Sequence, residues 1–126
     1  MSVHAHGVDM VDCARLAEVI DRHGQRFLER VFTPTELDYC MGRKREIEHL
    51  AGRFAAKEAV LKLLGTGWQG GISWRDIEVS NDPAGRPIVR LSGKCREISQ
   101  QRRLGEVLIS ISHIRTHAIA SAIASD

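Results

Sequence analysis

The stretch Leu50-Ala51-Gly52-Arg53-Phe54-Ala55-Ala56-Lys57-Glu58-Ala59-Val60-Leu61-Lys62-Leu63-Leu64, followed by Gly65-Thr66-Gly67, decides how the chain folds. It reads as a helix from about Arg45 to Leu64, stopped by glycine. Turning about 100° per residue, its apolar side chains nearly surround the axis, the pattern of a helix buried on all sides. Four ionisable residues interrupt it as two i,i+4 pairs, Arg53 with Lys57 and Glu58 with Lys62. Glu58 falls in the direction of Phe54 and Leu61, the greasiest sector. A lone carboxylate there is costly, so a cation partner is expected, either Lys62 or a metal ion. The plainer alternative is a surface Glu-to-Lys helix pair worth about 0.2–0.5 kcal/mol.

On the N-terminal side, Gly7 to Val11 reads as a short strand interrupted by Asp9. Asp12 is placed to cap a helix carrying Leu16, Val19 and Ile20, which Gly24 ends or bends before Phe27, Leu28, Val31 and Phe32. Thr33-Pro34-Thr35-Glu36 starts a short helix that Gly42 closes. On the C-terminal side, beyond a glycine-rich loop, Asp76–Val79 and Ile88–Leu91 flank the turn Asn81-Asp82-Pro83-Ala84-Gly85 as a hairpin. Ser92–Leu104 is polar and helix-permissive, and Val107–Ser112 and Ala118–Ala124 form a second hairpin around a turn at Ile114–His117. This order predicts an α+β fold in which an antiparallel sheet packs on the long helix.

At 126 residues the chain holds one core, so residues 1–126 are read as a single domain. Apolar residues at 43% and charged residues at 27% argue against general disorder. Aromatics at 5% supply few base-stacking platforms, and an excess of two positive charges does not imply a nucleic-acid partner. Cys13, Cys40 and Cys95 are too widely spaced for a zinc knuckle and odd in number for a disulfide framework, which fits reduced thiols. No apolar run reaches membrane-spanning length, and Met1–His6 lacks the pattern of a signal peptide, so no membrane association and a cytoplasmic location are expected.

Asp9, among half-buried strand residues, is either a strand-end acid capping the next helix or a second carboxylate for the same ion as Glu58. Mg²⁺ is commonly held by one or two carboxylates with substrate phosphates and waters, so two acids with Lys and Arg nearby suit phosphoryl chemistry better than glycoside hydrolysis. The run Arg43-Lys44-Arg45 could receive phosphates or be a solvated loop. Gly65-Thr66-Gly67 permits close backbone approach but is no Walker loop. His113, at a strand end, is by itself more often structural than catalytic. Arg15, Arg22, Arg26 and Arg30 share one face if the helical phase survives Gly24, a stripe that can dock an acidic partner, although Asp12, Glu18, Asp21 and Glu29 neutralise the stretch.

Together, Gly7-Val8-Asp9-Met10-Val11, Arg53-Phe54-Ala55-Ala56-Lys57-Glu58-Ala59-Val60-Leu61-Lys62 and Gly65-Thr66-Gly67 resemble holo-[acyl-carrier-protein] synthase, the small bacterial 4'-phosphopantetheinyl transferase. Phe32-Thr33-Pro34-Thr35-Glu36-Leu37, Asp76-Ile77-Glu78-Val79 with Gly85-Arg86-Pro87, and Ser110-Ile111-Ser112-His113 agree in order, so the likeness spans Gly7 to Ala124. The resemblance implies the 4'-phosphopantetheinyl transferase fold and a homotrimer with active sites between subunits. It further implies Mg²⁺-dependent transfer of the phosphopantetheine of coenzyme A to a serine of apo acyl carrier protein, releasing 3',5'-ADP, for fatty acid biosynthesis. It matches Asp9 and Glu58 to the Mg²⁺-binding acids and Glu58 and Lys62 to the catalytic pair. Lys44, Arg45, Arg53, Lys62, Gly65, Thr66, Gly67 and His113 match positions around coenzyme A and its 3'-phosphate, and Arg15, Arg22 and Arg26 match carrier docking. A Mg²⁺-dependent phosphohydrolase or nuclease, and a non-catalytic coenzyme A- or carrier-binding module, are the competing classes.

Overall fold

The computed structural model describes residues 2–68 and 71–126. The long helix, α3 (Glu46–Leu64), is the axis of the fold: thirteen of its 19 residues are buried, as its all-round apolar pattern requires. Around it lie β1 (Val3–Asp12), α1 (Cys13–Val31), α2 (Pro34–Cys40), a 3₁₀ turn at Trp74–Asp76, β2 (Ile77–Asn81), β3 (Pro87–Leu91), α4 (Gly93–Gln101), β4 (Glu106–His113) and β5 (His117–Ser125). The glycine-rich loop expected after Gly67 lies partly outside the described residues.

Strands β1, β5 and β4 form one antiparallel sheet in that order, and β2–β3 form a separate antiparallel hairpin. The sheet turns Ala118, Ala120, Ala122 and Ala124 onto α3, with Asp9 opposite Ala120 and Gly7 opposite Ala122. These small residues let the helix lie close. At Gly7 an added Cβ would stand 2.1 Å from the Ala59 carbonyl oxygen, so only glycine fits where β1 crosses α3. Strand β1 is longer than Gly7–Val11 because it pairs with β5 from Val3 to Asp12.

Asp12 caps α1 as expected, its carboxylate accepting from the Arg15 N–H at 3.2 Å. Gly24, at φ 59° and ψ −142°, interrupts the helix, so the phase does not carry from Arg22 to Arg26, and the single four-arginine stripe is corrected to two segments. Thr33 and Glu36 form a reciprocal capping box on α2, with Pro34 in its first turn. The opposite face of the sheet carries exposed apolar side chains: Val8, Met10, Leu108, Ile119 and Ile123.

Candidate active site

Close contact at Gly7 places β1 against the C-terminal half of α3, which brings Asp9 to Lys62 across 53 positions of sequence. The Lys62 ammonium donates to Asp9 Oδ1 at 2.8 Å and to the Val8 carbonyl at 3.1 Å. Asp9, as the first cause, raises the Lys62 pKa. Glu58 stands one turn before Lys62, half-buried, and its carboxyl is pushed above its ordinary range, first by burial and then by the negative charge of Asp9, with Lys62 opposing. Lys62 thus pairs with Asp9; among the described residues no ion pair joins it to Glu58. Two carboxylates and one ammonium share this corner of the sheet.

That donor set fits a hard divalent cation. No group of three or more His, Cys, Asp or Glu side chains is placed to hold a metal among the described residues, so a cage built from protein alone is absent there. Two carboxylates whose charges repel suit Mg²⁺, which keeps waters and takes its remaining oxygens from substrate phosphates. Asp9 and Glu58 would hold it.

Asp9 also lines a cleft of ≈ 460 Å³ with Arg15, Leu16, Val19, Phe27 and Phe54. Asp9 and Arg15 thus share one cleft, while Arg22 and Arg26 stand exposed on either side of the bend at Gly24. Gly65 caps α3 in the left-handed region at φ 77°, and the Arg102 guanidinium holds the Leu64 carbonyl beneath it. The segment Gly65-Thr66-Gly67 thus begins one turn from Lys62, with Gly67 also at positive φ, 66°.

The other predicted residues gather at the opposite end of α3. Lys44 and Arg45 are exposed in the loop before the helix. The His113 Nδ1–H donates to Glu48 Oε1 at 2.8 Å, and its ring meets that of His49 edge-on at 5.4 Å. Burial, then His113, Arg53 and Arg43, lower the His49 pKa. Arg53 is 4% exposed; it donates to Asn81 Oδ1 and stacks 4.0 Å from the Tyr39 ring centre. It is an internal brace between α2, α3 and the β2–β3 hairpin rather than a surface cation. Glu48 and Glu58 are ten positions apart, about 15 Å along a helix rising about 1.5 Å per residue. Within one chain, then, the acidic pair and the basic group are separate.

Three features escape a reading of the sequence. Lys57, 0% exposed, pairs with the equally buried Glu36 at 2.8 Å, and Glu36 also accepts from the Thr33 and Val79 N–H groups. Burial lowers the Lys57 pKa, with Glu36 opposing. The only signal was Lys57 four residues after Arg53 on the same helix face. Trp68, Trp74, Phe54 and Phe27 form a column with ring centres 3.8, 5.0 and 6.3 Å apart in turn, and neither tryptophan stands out by spacing. Glu48 meets His113 across 65 positions, which no local pattern announces.

A sequence model of the 4'-phosphopantetheinyl transferase superfamily matches residues 5–121. The chain belongs to that superfamily. Within it, the chain is 49% identical over 117 residues to the holo-[acyl-carrier-protein] synthase of Protochlamydia amoebophila, covering 93% of each. The crystal structure of holo-[acyl-carrier-protein] synthase from Neisseria meningitidis superposes with a TM-score of 0.89 at 30% identity, covering 99% of this chain and 100% of that one. The Helicobacter pylori synthase, solved in complex with coenzyme A, gives 0.83 at 33% identity, covering 95% and 99%. The fold expected for phosphopantetheinyl transferases is thus the fold observed, and these relatives are holo-[acyl-carrier-protein] synthases throughout their length.

Proposed function

We propose that this chain is a holo-[acyl-carrier-protein] synthase. It transfers the 4'-phosphopantetheine of coenzyme A to a serine of apo acyl carrier protein and releases 3',5'-ADP, serving fatty acid biosynthesis in the cytoplasm. Residues 1–126 act as a single catalytic domain. The observation that carries the reading is the Lys62–Asp9 ion pair beside Glu58, with Asp9 lining the cleft that Arg15 also lines.

In this proposal the carrier docks its acidic surface on Arg15, Arg22 and Arg26 and reaches into the cleft beside Asp9. The diphosphate of coenzyme A lies along Gly65, Thr66 and Gly67. Asp9 and Glu58 would hold Mg²⁺, which would supply charge neutralisation and polarisation at the attacked phosphate. Glu58 accepts the hydrogen of the carrier serine. The serine oxygen bonds to the β-phosphorus as the bond from that phosphorus to the bridging oxygen breaks. The electron pair stays on the departing 3',5'-ADP, where the Lys62 ammonium offsets it. Little covalent help is needed, because phosphoryl transfer rests on positioning and charge.

Lys44, Arg45 and His113 receive the 3'-phosphate, and Arg53 supports them from inside. They stand at the far end of α3 from the acidic pair, which supports a homotrimer in which one copy's basic end adjoins another's acids. The apolar face of Val8, Met10, Leu108, Ile119 and Ile123 is the surface available for that assembly.

The test is the intact mass of an apo carrier protein incubated with the enzyme, coenzyme A and Mg²⁺. Gain of one phosphopantetheine supports the proposal. Phosphate release or nucleic-acid cleavage with no mass gain would make the protein a hydrolase, and coenzyme A binding alone would make it a binding module.

A further inference from the structure

The buried carboxylate of Glu48 has no part in the transfer chemistry, yet it is aimed at a residue that does bind substrate in the reading above. Glu48 is 7% exposed on the first turn of α3, and its Oε1 accepts the His113 Nδ1–H at 2.8 Å from the end of β4. We propose that Glu48 is a positioning residue: it fixes the His113 ring so that Nε2 faces the 3'-phosphate of coenzyme A. This rests on the assignment of His113 to the 3'-phosphate.

The neighbours of this contact are rings and cations. His49 on α3 meets the His113 ring edge-on at 5.4 Å, and Tyr39 on α2 meets His49 at 5.5 Å. Arg43, before α3, and Arg53, within it, each lie 4.0 Å from the Tyr39 ring centre. From the start of α1, Cys13 faces Glu48 as a buried thiol whose pKa that carboxylate helps to raise, after burial. Glu48 is thus the acid bonded to the imidazole in a cluster of two guanidiniums and two imidazoles. A histidine that gives Nδ1–H to a carboxylate can give a second hydrogen, from Nε2, to a phosphate only as the imidazolium. Among the described residues, nothing else bonds His113 Nε2. A carboxylate behind a ligand-binding imidazole fixes ring orientation by the same logic that operates around metal-bound histidines.

The experiment compares native enzyme, Glu48→Gln, Glu48→Asp and His113→Ala with coenzyme A and with 3'-dephospho-coenzyme A as donors. Glutamine keeps an acceptor oxygen and nearly the same volume, so it removes the charge alone. For Glu48→Gln the KM for coenzyme A is expected to rise roughly tenfold, the scale of one charge-assisted hydrogen bond. Its kcat and its KM for the dephospho donor should stay native, and Glu48→Asp should recover part of the loss. A loss confined to the donor that carries the 3'-phosphate is the signature that a purely structural role would not produce. If His113→Ala raises the KM for coenzyme A selectively while Glu48→Gln leaves it native, the role of Glu48 is overturned and the site reading stands. An equal rise for both donors in Glu48→Gln also overturns it. If His113→Ala changes neither KM, the assignment of His113 falls, and the proposal with it.

Discussion

Glu58 sits where burial and the Asp9 charge both favour its protonated form, so its ionised state is a cost the free protein carries. Because its folded pKa is raised, the proton favours the native state: this contribution is present at acid pH and is lost as pH rises through the interval above the ordinary glutamate value. At neutral pH without divalent cation, Glu58→Gln should therefore be more stable than native in urea. The gap should close as pH falls through that interval, while transferase activity is lost. A variant less stable than native at neutral pH would mean that the Glu58 carboxylate is already compensated. The residue types of this corner were legible in the sequence, since a lone acid in an apolar helical sector demands a cation. Which cation each acid finds was not: Lys62 goes to Asp9 because β1 crosses α3 at Gly7, a long-range contact that helical spacing does not encode. Glu36 and Lys57 were equally opaque, because their pairing depends on three elements meeting.

Among the elements, the crossing of β1 over α3 and the bend in α1 do most to shape the site. Gly7→Ala would drive a methyl into the Ala59 backbone, so it should cost about 1–3 kcal/mol of stability by denaturant titration and lower activity by separating Asp9 from Lys62. Native stability and activity in this variant would mean that the crossing is not tight. On α1, Arg15 shares the cleft with Asp9. Arg15→Glu should raise the KM for the carrier about tenfold or more and leave that for coenzyme A near native, since a docking charge acts on association. A change confined to the coenzyme A KM would contradict that placement. The helix caps at Asp12 and Thr33, the glycine stop after Leu64 and the alternating strands were all readable, because each is set by neighbours in sequence. Strand lengths and the helical phase beyond Gly24 were not. Pairing with β5 decides the first, and one glycine at positive φ decides the second.

For the whole molecule, one sheet face is buried on α3 and the other bears Val8, Met10, Leu108, Ile119 and Ile123 in solvent. Alternation along β1, β4 and β5 could be read in the sequence as a strand pattern, but apolar side chains on both faces only become an unsatisfied surface once the sheet has one helical cover. In the proposed homotrimer this face is covered and completes the site. Ile119→Asp should reduce the mass measured by light scattering from three chains to one and lower transfer activity with it. A monomeric native enzyme with full activity would instead place the entire site within one chain. In the proposed mechanism Asp9 and Glu58 act as one pair around a divalent ion. The most direct measurement is the Mg²⁺-dependent mass gain of an apo carrier with native enzyme, Asp9→Asn and Glu58→Gln side by side. Modification by the native enzyme only with Mg²⁺, and an unmodified carrier with either folded variant, is the predicted result; native-like modification by either variant would contradict it.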